Sequence, residues 1–124
     1  MKTLDEKAIQ HLNQLLKTPK PTTCTVNGNA REVTVQVIHD FGKYRIINLT
    51  FYAYDEEWRF REPEIAIIHD TDTNEYLPSN IIYDTERINS SSAHIYNGQL
   101  TVWNDKKQAD HIKVVNDLLN QISL

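Results

Sequence analysis

The residues of this chain best suited to chemistry begin with two His-Asp dipeptides, His39-Asp40 and His69-Asp70. An imidazole beside a carboxylate can ligate a metal or move a proton. Each pair closes an apolar run, Val37-Ile38 and Ile67-Ile68. Aspartate is a common turn starter, because its side chain bonds the backbone two residues on. No further histidine or cysteine stands at ligand spacing. The pairs therefore read first as two similar hairpin ends. The functional alternative is a metal site, a small-ligand cleft or a hydrolase centred on His39, His69 and the acidic turns.

Other catalytic patterns are weaker. Asp70-Thr71-Asp72-Thr73-Asn74 matches the opening of a calcium loop, but Glu75 stands where that loop needs glycine and Ile81 where it needs glutamate. A polar turn is the better reading. Only three glycines occur, and none flanks a serine elbow or builds a phosphate cradle. Cys24, the lone cysteine, has no neighbouring base and reads as a buried thiol. Glu62 and Glu64, two residues apart, would share one side of a strand. No cofactor is expected, and the balance favours a protein that is not an enzyme.

The aromatic residues are more informative. Tyr44, Tyr52 and Tyr54 share one side of a strand over 44–54, and Trp58 and Phe60 follow, interleaved with Arg59 and Arg61. Tyrosine, tryptophan and arginine are enriched at interaction surfaces. If that side is open, Tyr52, Tyr54, Trp58, Arg59, Arg61 and Glu64 form a binding platform. If a helix covers it, they are core aromatics with wet tips. The second reading is favoured, since two terminal helices need somewhere to pack.

The elements that position these residues follow from periodicity. Leu4, Ala8, Leu12 and Leu15 recur at helical spacing, with Thr3 as N-cap and Thr18-Pro19-Lys20-Pro21 as the stop. Strands are predicted over 23–26, 33–37, 44–54, 64–69 and 80–83, the first two joined at Asn27-Gly28. A last hairpin turns at Asn97-Gly98, pairing Tyr96 with Gln99 and Ile95 with Leu100. Asp84 to Ser92 reads as a loop. A second helix starts at Asn104 or Asp105, with Ala109, Ile112, Val115, Leu119 and Ile122 as its buried stripe. The sum is one α+β domain: an N-terminal helix, a curved antiparallel meander of five to seven strands, and a C-terminal helix packed on the sheet.

Composition narrows the partner. The chain has 124 residues, is 40% hydrophobic and 24% charged, and carries a net charge of −4. Between Asp55 and Glu86 ten acidic residues face only Arg59 and Arg61. Such a field repels nucleic acid and attracts a cation or a basic protein, while the plainer reading, and the favoured one, is a set of solvated turns. No apolar run approaches the roughly 20 residues of a membrane helix. The N-terminal residues have no continuous apolar stretch of the signal-peptide kind. With a single cysteine, the expected location is the cytoplasm.

The stretch from Asp55 to Ile67, followed by Tyr76-Leu77-Pro78 and Tyr83-Asp84, resembles an uncharacterised bacterial domain family. In that family an acidic turn leads into an Asp-Pro-Glu-Met strand. Here Glu62 replaces the Asp and Ile65 the Met. Members often sit on plasmids and other mobile elements, and the C-terminal part is also similar to YqiB-like proteins. The resemblance implies an α+β fold and supplies no activity. The functional expectation is a small accessory or regulatory factor that binds another protein, with no direct contact to nucleic acid or membrane.

Overall fold

The computed structural model describes residues 3–18 and 20–122, so Pro19 of the expected helix stop lies outside them. Helices α1 (Glu6–Leu16) and α2 (Asp105–Asn120) frame the strands. Strands β1 (Thr22–Val26), β2 (Asn29–Asp40), β3 (Tyr44–Asp55), β4 (Trp58–Asp70), β5 (Glu75–Tyr83) and β6 (Ile88–Ser91) form one antiparallel sheet in chain order. Strands β7 (Ala93–Tyr96) and β8 (Gln99–Val102) make a separate hairpin. The architecture is the expected α+β one. No helix among the described residues is long and apolar enough to cross a membrane.

Local chemistry explains most boundaries. Asn27-Gly28 and Asn97-Gly98 take positive φ at both positions, as a type I′ turn requires, and the second sets the expected register of Tyr96 with Gln99. Asn104 caps α2 by accepting from the Lys107 amide at 2.9 Å. The cap of α1 is Asp5 rather than Thr3, its carboxylate accepting from Ala8 N at 2.7 Å. Thr3 is engaged elsewhere, its hydroxyl hydrogen-bonded to both backbone groups of Tyr76 in β5.

Strands β4 and β5 begin well before their expected limits of 64 and 80. β4 begins at Trp58, because the chain reverses on Glu56-Glu57 with Glu56 at φ 55°. Glutamate at a positive φ carries none of the usual turn signal. β5 begins at Glu75 and runs through Pro78, and β4 runs through Pro63. Both prolines adjoin bulges. The register slips by one residue at Ser79 and again around Glu62-Pro63, where a missing ladder donor is tolerated. The segment read as a loop to Ser92 instead supplies β6, paired with β5 from Asn80↔Ser91 to Tyr83↔Ile88.

Both helices pack on the same side of the sheet. The core joins Ala8, Leu12 and Leu15 of α1 to Ile47, Leu49, Phe51, Ile65 and Ile67 of the sheet and Val115, Leu118 and Leu119 of α2. Each such aliphatic side chain contributes about 1.5–3 kcal/mol by leaving water. The stripe of α2 departs from expectation in its first turns. Ala109 is exposed, and Gln108 and His111 are buried in its place, since that end of the helix faces serines rather than apolar side chains.

Candidate functional site

Strand β3 alternates sides, so Ile47, Leu49 and Phe51 point to the helices and Tyr44, Ile46, Asn48, Thr50, Tyr52 and Tyr54 point away. The expectation that a helix covers the aromatic side is overturned: both helices lie on the opposite one. The β7–β8 hairpin covers part of the second face. Its Ala93, Ile95, Leu100 and Val102 are buried or half-buried while His94, Tyr96, Gln99 and Thr101 are exposed. Leu100 N donates to the Tyr44 hydroxyl at 3.3 Å, and Tyr44, Ile68 and Leu77 are buried outside the helix-side core. Towards the β3–β4 turn the face opens, from Thr50, still buried, through half-buried Tyr52 to exposed Tyr54 and Arg59.

On this open half, antiparallel register sets Tyr52 opposite Arg61, Tyr54 opposite Arg59 and Thr50 opposite Glu64. Arg61 and Glu64 are three apart and would normally face opposite ways. The bulge at Glu62-Pro63 turns both to the same side, where Arg61 Nη1 meets Glu64 Oε2 at 2.8 Å. Arg61 also clasps Asp84, just beyond β5, through Nη2 and Nε at 2.8–3.1 Å, and its backbone N–H donates to Asp84 Oδ2 at 2.7 Å. Glu64 in turn accepts from Asn48 Nδ2 at 3.0 Å, and Asn48 Oδ1 accepts from Thr50 at 3.2 Å. The result is a continuous polar row across three strands.

Electrostatics fix this row in one state. Hydrogen bonds from the Arg61 side chain, then its backbone N–H, hold the Asp84 carboxyl below its usual range. Hydrogen bonds to Asp84 and Glu64 raise the Arg61 guanidinium above its usual value. Beside the row, the Arg59 guanidinium lies 4.2 Å from the centroid of Tyr52, a cation–π contact. Tyr54 is 56% exposed. Five of the six expected platform residues, Tyr52, Tyr54, Arg59, Arg61 and Glu64, thus share one surface. Trp58, 71% exposed, pairs with Asp55 at the turn and belongs to the other side of β4 by alternation. It stands at the rim. Glu62 does not join Glu64: the bulge parts them, and Glu62 accepts from Thr85 N at 2.9 Å.

The acidic stretch is not one field. Asp55, Glu56 and Glu57 lie exposed at the β3–β4 turn, whereas Asp70, Asp72 and Glu75 gather at the other end of β4. Asp84 and Glu64 share one cation, Arg61, which offsets one of their two charges. Asp70 serves the turn as its residue type suggests, Oδ1 accepting from Asp72 N and Thr73 N.

His39 and His69 do not form one cleft. His39 pairs with Ile46 after a bulge at Ile38 and is exposed, stacked on Phe41. His69 pairs with Arg45, on the opposite face, and is buried against Tyr76 with ring centroids 3.9 Å apart. Arg45 donates to His69 Nδ1, which requires the proton on Nε2, donated to Asn74 Oδ1 at 2.8 Å. Burial first, then Arg45, lowers the His69 pKa, consistent with that neutral ring. Burial raises the thiol of Cys24, which is the opposite of activation. Among the described residues no three metal-ligating side chains cluster.

One constellation was missed in the sequence. His111 of α2 contacts Ser90 through Nε2 at 2.9 Å and Ser92 through Nδ1 at 2.8 Å, and Ser92 donates to Gln108 Oε1 at 2.9 Å. A serine on each ring nitrogen has the connectivity of a nucleophile and its base. Ser92 and His111 are 0% and 5% exposed, however, which closes that pair to a substrate. Ser90 is half-buried, but the ring is held by two serines, with no hydrogen bond among the described residues to a carboxylate that would orient it as a base. The contacts serve to pin α2 to the β6–β7 connection. Only the run Ser90-Ser91-Ser92 hinted at them, and it reads equally as a loop.

In comparisons with known proteins, the chain matches no family model, no curated protein and no solved structure.

Proposed function

We propose that this chain is a non-enzymatic binding protein, an accessory or regulatory factor that docks another protein on the open half of its sheet. The observation that carries the reading is the uncovered surface of Tyr52, Tyr54 and Arg59 over a polar row already locked by Arg61, Glu64 and Asp84. Rigid aromatics and arginines lose little freedom on binding, which is why they anchor interfaces. The exposed Asp55, Glu56 and Glu57 at the rim favour a partner with basic residues beside its contact patch. A catalytic reading lacks support, because His39 and His69 stand apart and the two serine–histidine contacts of His111 have no carboxylate hydrogen-bonded to the ring among the described residues.

The test is affinity capture from the native lysate with the wild-type chain and a Tyr54→Ser/Arg59→Ser variant, at low and high salt. The expected outcome is a protein held by the wild type, released by salt and lost with the variant. Equal capture by both proteins would remove the platform from the account.

A further inference from the structure

On the helix side of the sheet, the last turns of α2, the β1–β2 turn and the end of β5 enclose a groove of about 550 Å³. Tyr83, Val114 and Leu118 give it an apolar lining. A second cavity of about 150 Å³, reaching Glu62, Pro63 and Arg31, shares Asn27, Tyr83 and Leu118 with the first and continues it. The walls are tied together across 94 positions of sequence. Asn27 N donates to Gln121 Oε1 at 2.7 Å, and Gln121 Nε2 donates to Asn27 Oδ1 at 3.0 Å.

The charged groups that line this groove and its continuation are two carboxylates, Asp117 and Glu62, and one cation, Arg31. Asp117 is exposed in it, and neither Asp117 nor Glu62 has a cationic partner within 4 Å among the described residues. Asn120 adds a buried acceptor. Its Nδ2 donates to Asp5 Oδ2 at 3.2 Å, a carboxylate oxygen that can only accept, so the amide orientation is fixed. Asn120 Oδ1 is left buried with no donor. Burial first, then the charges of Glu86 and Glu62, raises the Tyr83 hydroxyl, so the field at its oxygen is negative. Arg31, at the smaller cavity, is the one cation lining either cavity.

Unpaired acceptors beside an apolar wall call for a donor-rich cation on a short aliphatic stem. We propose that the groove binds a primary ammonium or guanidinium group, seated at the exposed carboxylate of Asp117, with its methylene stem against Tyr83 and Leu118. An anion would meet Asp117 and Glu62 with only Arg31 in compensation, and a neutral diol would leave the carboxylates without a counter-charge. The groove and the platform lie on opposite faces of the sheet, so this proposal stands without the docking reading.

Putrescine, agmatine and Nα-acetyl-lysine amide, titrated into ¹⁵N-labelled protein, test it, with 1,4-butanediol and glutarate as neutral and anionic controls. The three cations are expected to move the side-chain amide signals of Asn27, Asn120 and Gln121, and the controls to leave them in place. Asp117→Asn should weaken cation binding about tenfold, the size of one charge-assisted hydrogen bond. Asp110→Asn, exposed on the same helix and outside the groove, should not. Tighter binding of the lysine amide than of putrescine assigns the group to a peptide side chain, and the reverse order to a free diamine. Absence of cation shifts, equal shifts with butanediol, a preference for glutarate, or identical behaviour of the two variants would overturn the proposal.

Discussion

Ile47, Leu49 and Phe51 of β3 are sealed beneath the helices, while their immediate neighbours Asn48, Tyr52 and Tyr54 stay half or fully exposed on the other face. The same backbone serves both. On the helix side, cohesion comes from apolar burial and is not specific to any one contact. On the open side it comes from directed bonds, Thr50 to Asn48 to Glu64 to Arg61 to Asp84, that hold each polar atom at a fixed place. A face organised by directed bonds can be rigid without being covered, and that is the property a recognition surface needs.

The largest expected effect lies on the covered side. Phe51→Ala should cost about 3–5 kcal/mol in denaturant unfolding, while Tyr54→Ala on the same strand should stay within about 0.5 kcal/mol. Similar losses at the two positions would break the distinction between the faces.

Next comes Arg61→Met, which removes the directed bonds and leaves Asp84 and Glu64 without their cation. With 40% of the Arg61 side chain exposed, solvent screening discounts the loss to about 1–2 kcal/mol. The acid limb should change too. Asp84 titrates below its unfolded value, so its contribution is present above about pH 4 and lost as pH falls through the depressed value. Stability of the variant measured across pH 2–5 should show a shallower fall than the wild type.

A smaller pH effect belongs to the helix side. His69 is lowered by burial, with Arg45 adding to it and Asn74 and Asp70 opposing; His111 is lowered by burial and Lys107, with Asp110 opposing. Each ring is held neutral in the folded state, so stability is whole above about pH 6.5 and declines as pH drops through the lowered values. Thermal unfolding between pH 7.5 and 5 should show this decline, and His69→Gln should reduce it. An unchanged slope would mean that His69 is not held neutral.

How far the sequence carried the fold depends on whether the determining chemistry was local. Asn97-Gly98 fixed a hairpin and its register, because positive φ at two positions is a property of those two residues. Glu56-Glu57 makes a turn without any such signal, held by the strands on either side, and so the start of β4 was hidden. Pro63 and Pro78 look like strand breakers until the bulges beside them are known. The platform residues were legible as types, but not their shared face: Arg61 and Glu64 meet only because of a bulge. Ser90 and Ser92 gave no helical or strand period, and their partners His111 and Gln108 arrive from a distant helix. Likewise the groove is closed by Asn27 and Gln121, which no local pattern relates.

The claim that the open half of the sheet is the working surface is tested most directly by comparing capture with stability in one variant. Tyr54→Ser/Arg59→Ser should unfold at the same denaturant midpoint as the wild type while losing the salt-sensitive partner from native lysate. Retention of that partner by the correctly folded variant would contradict the account.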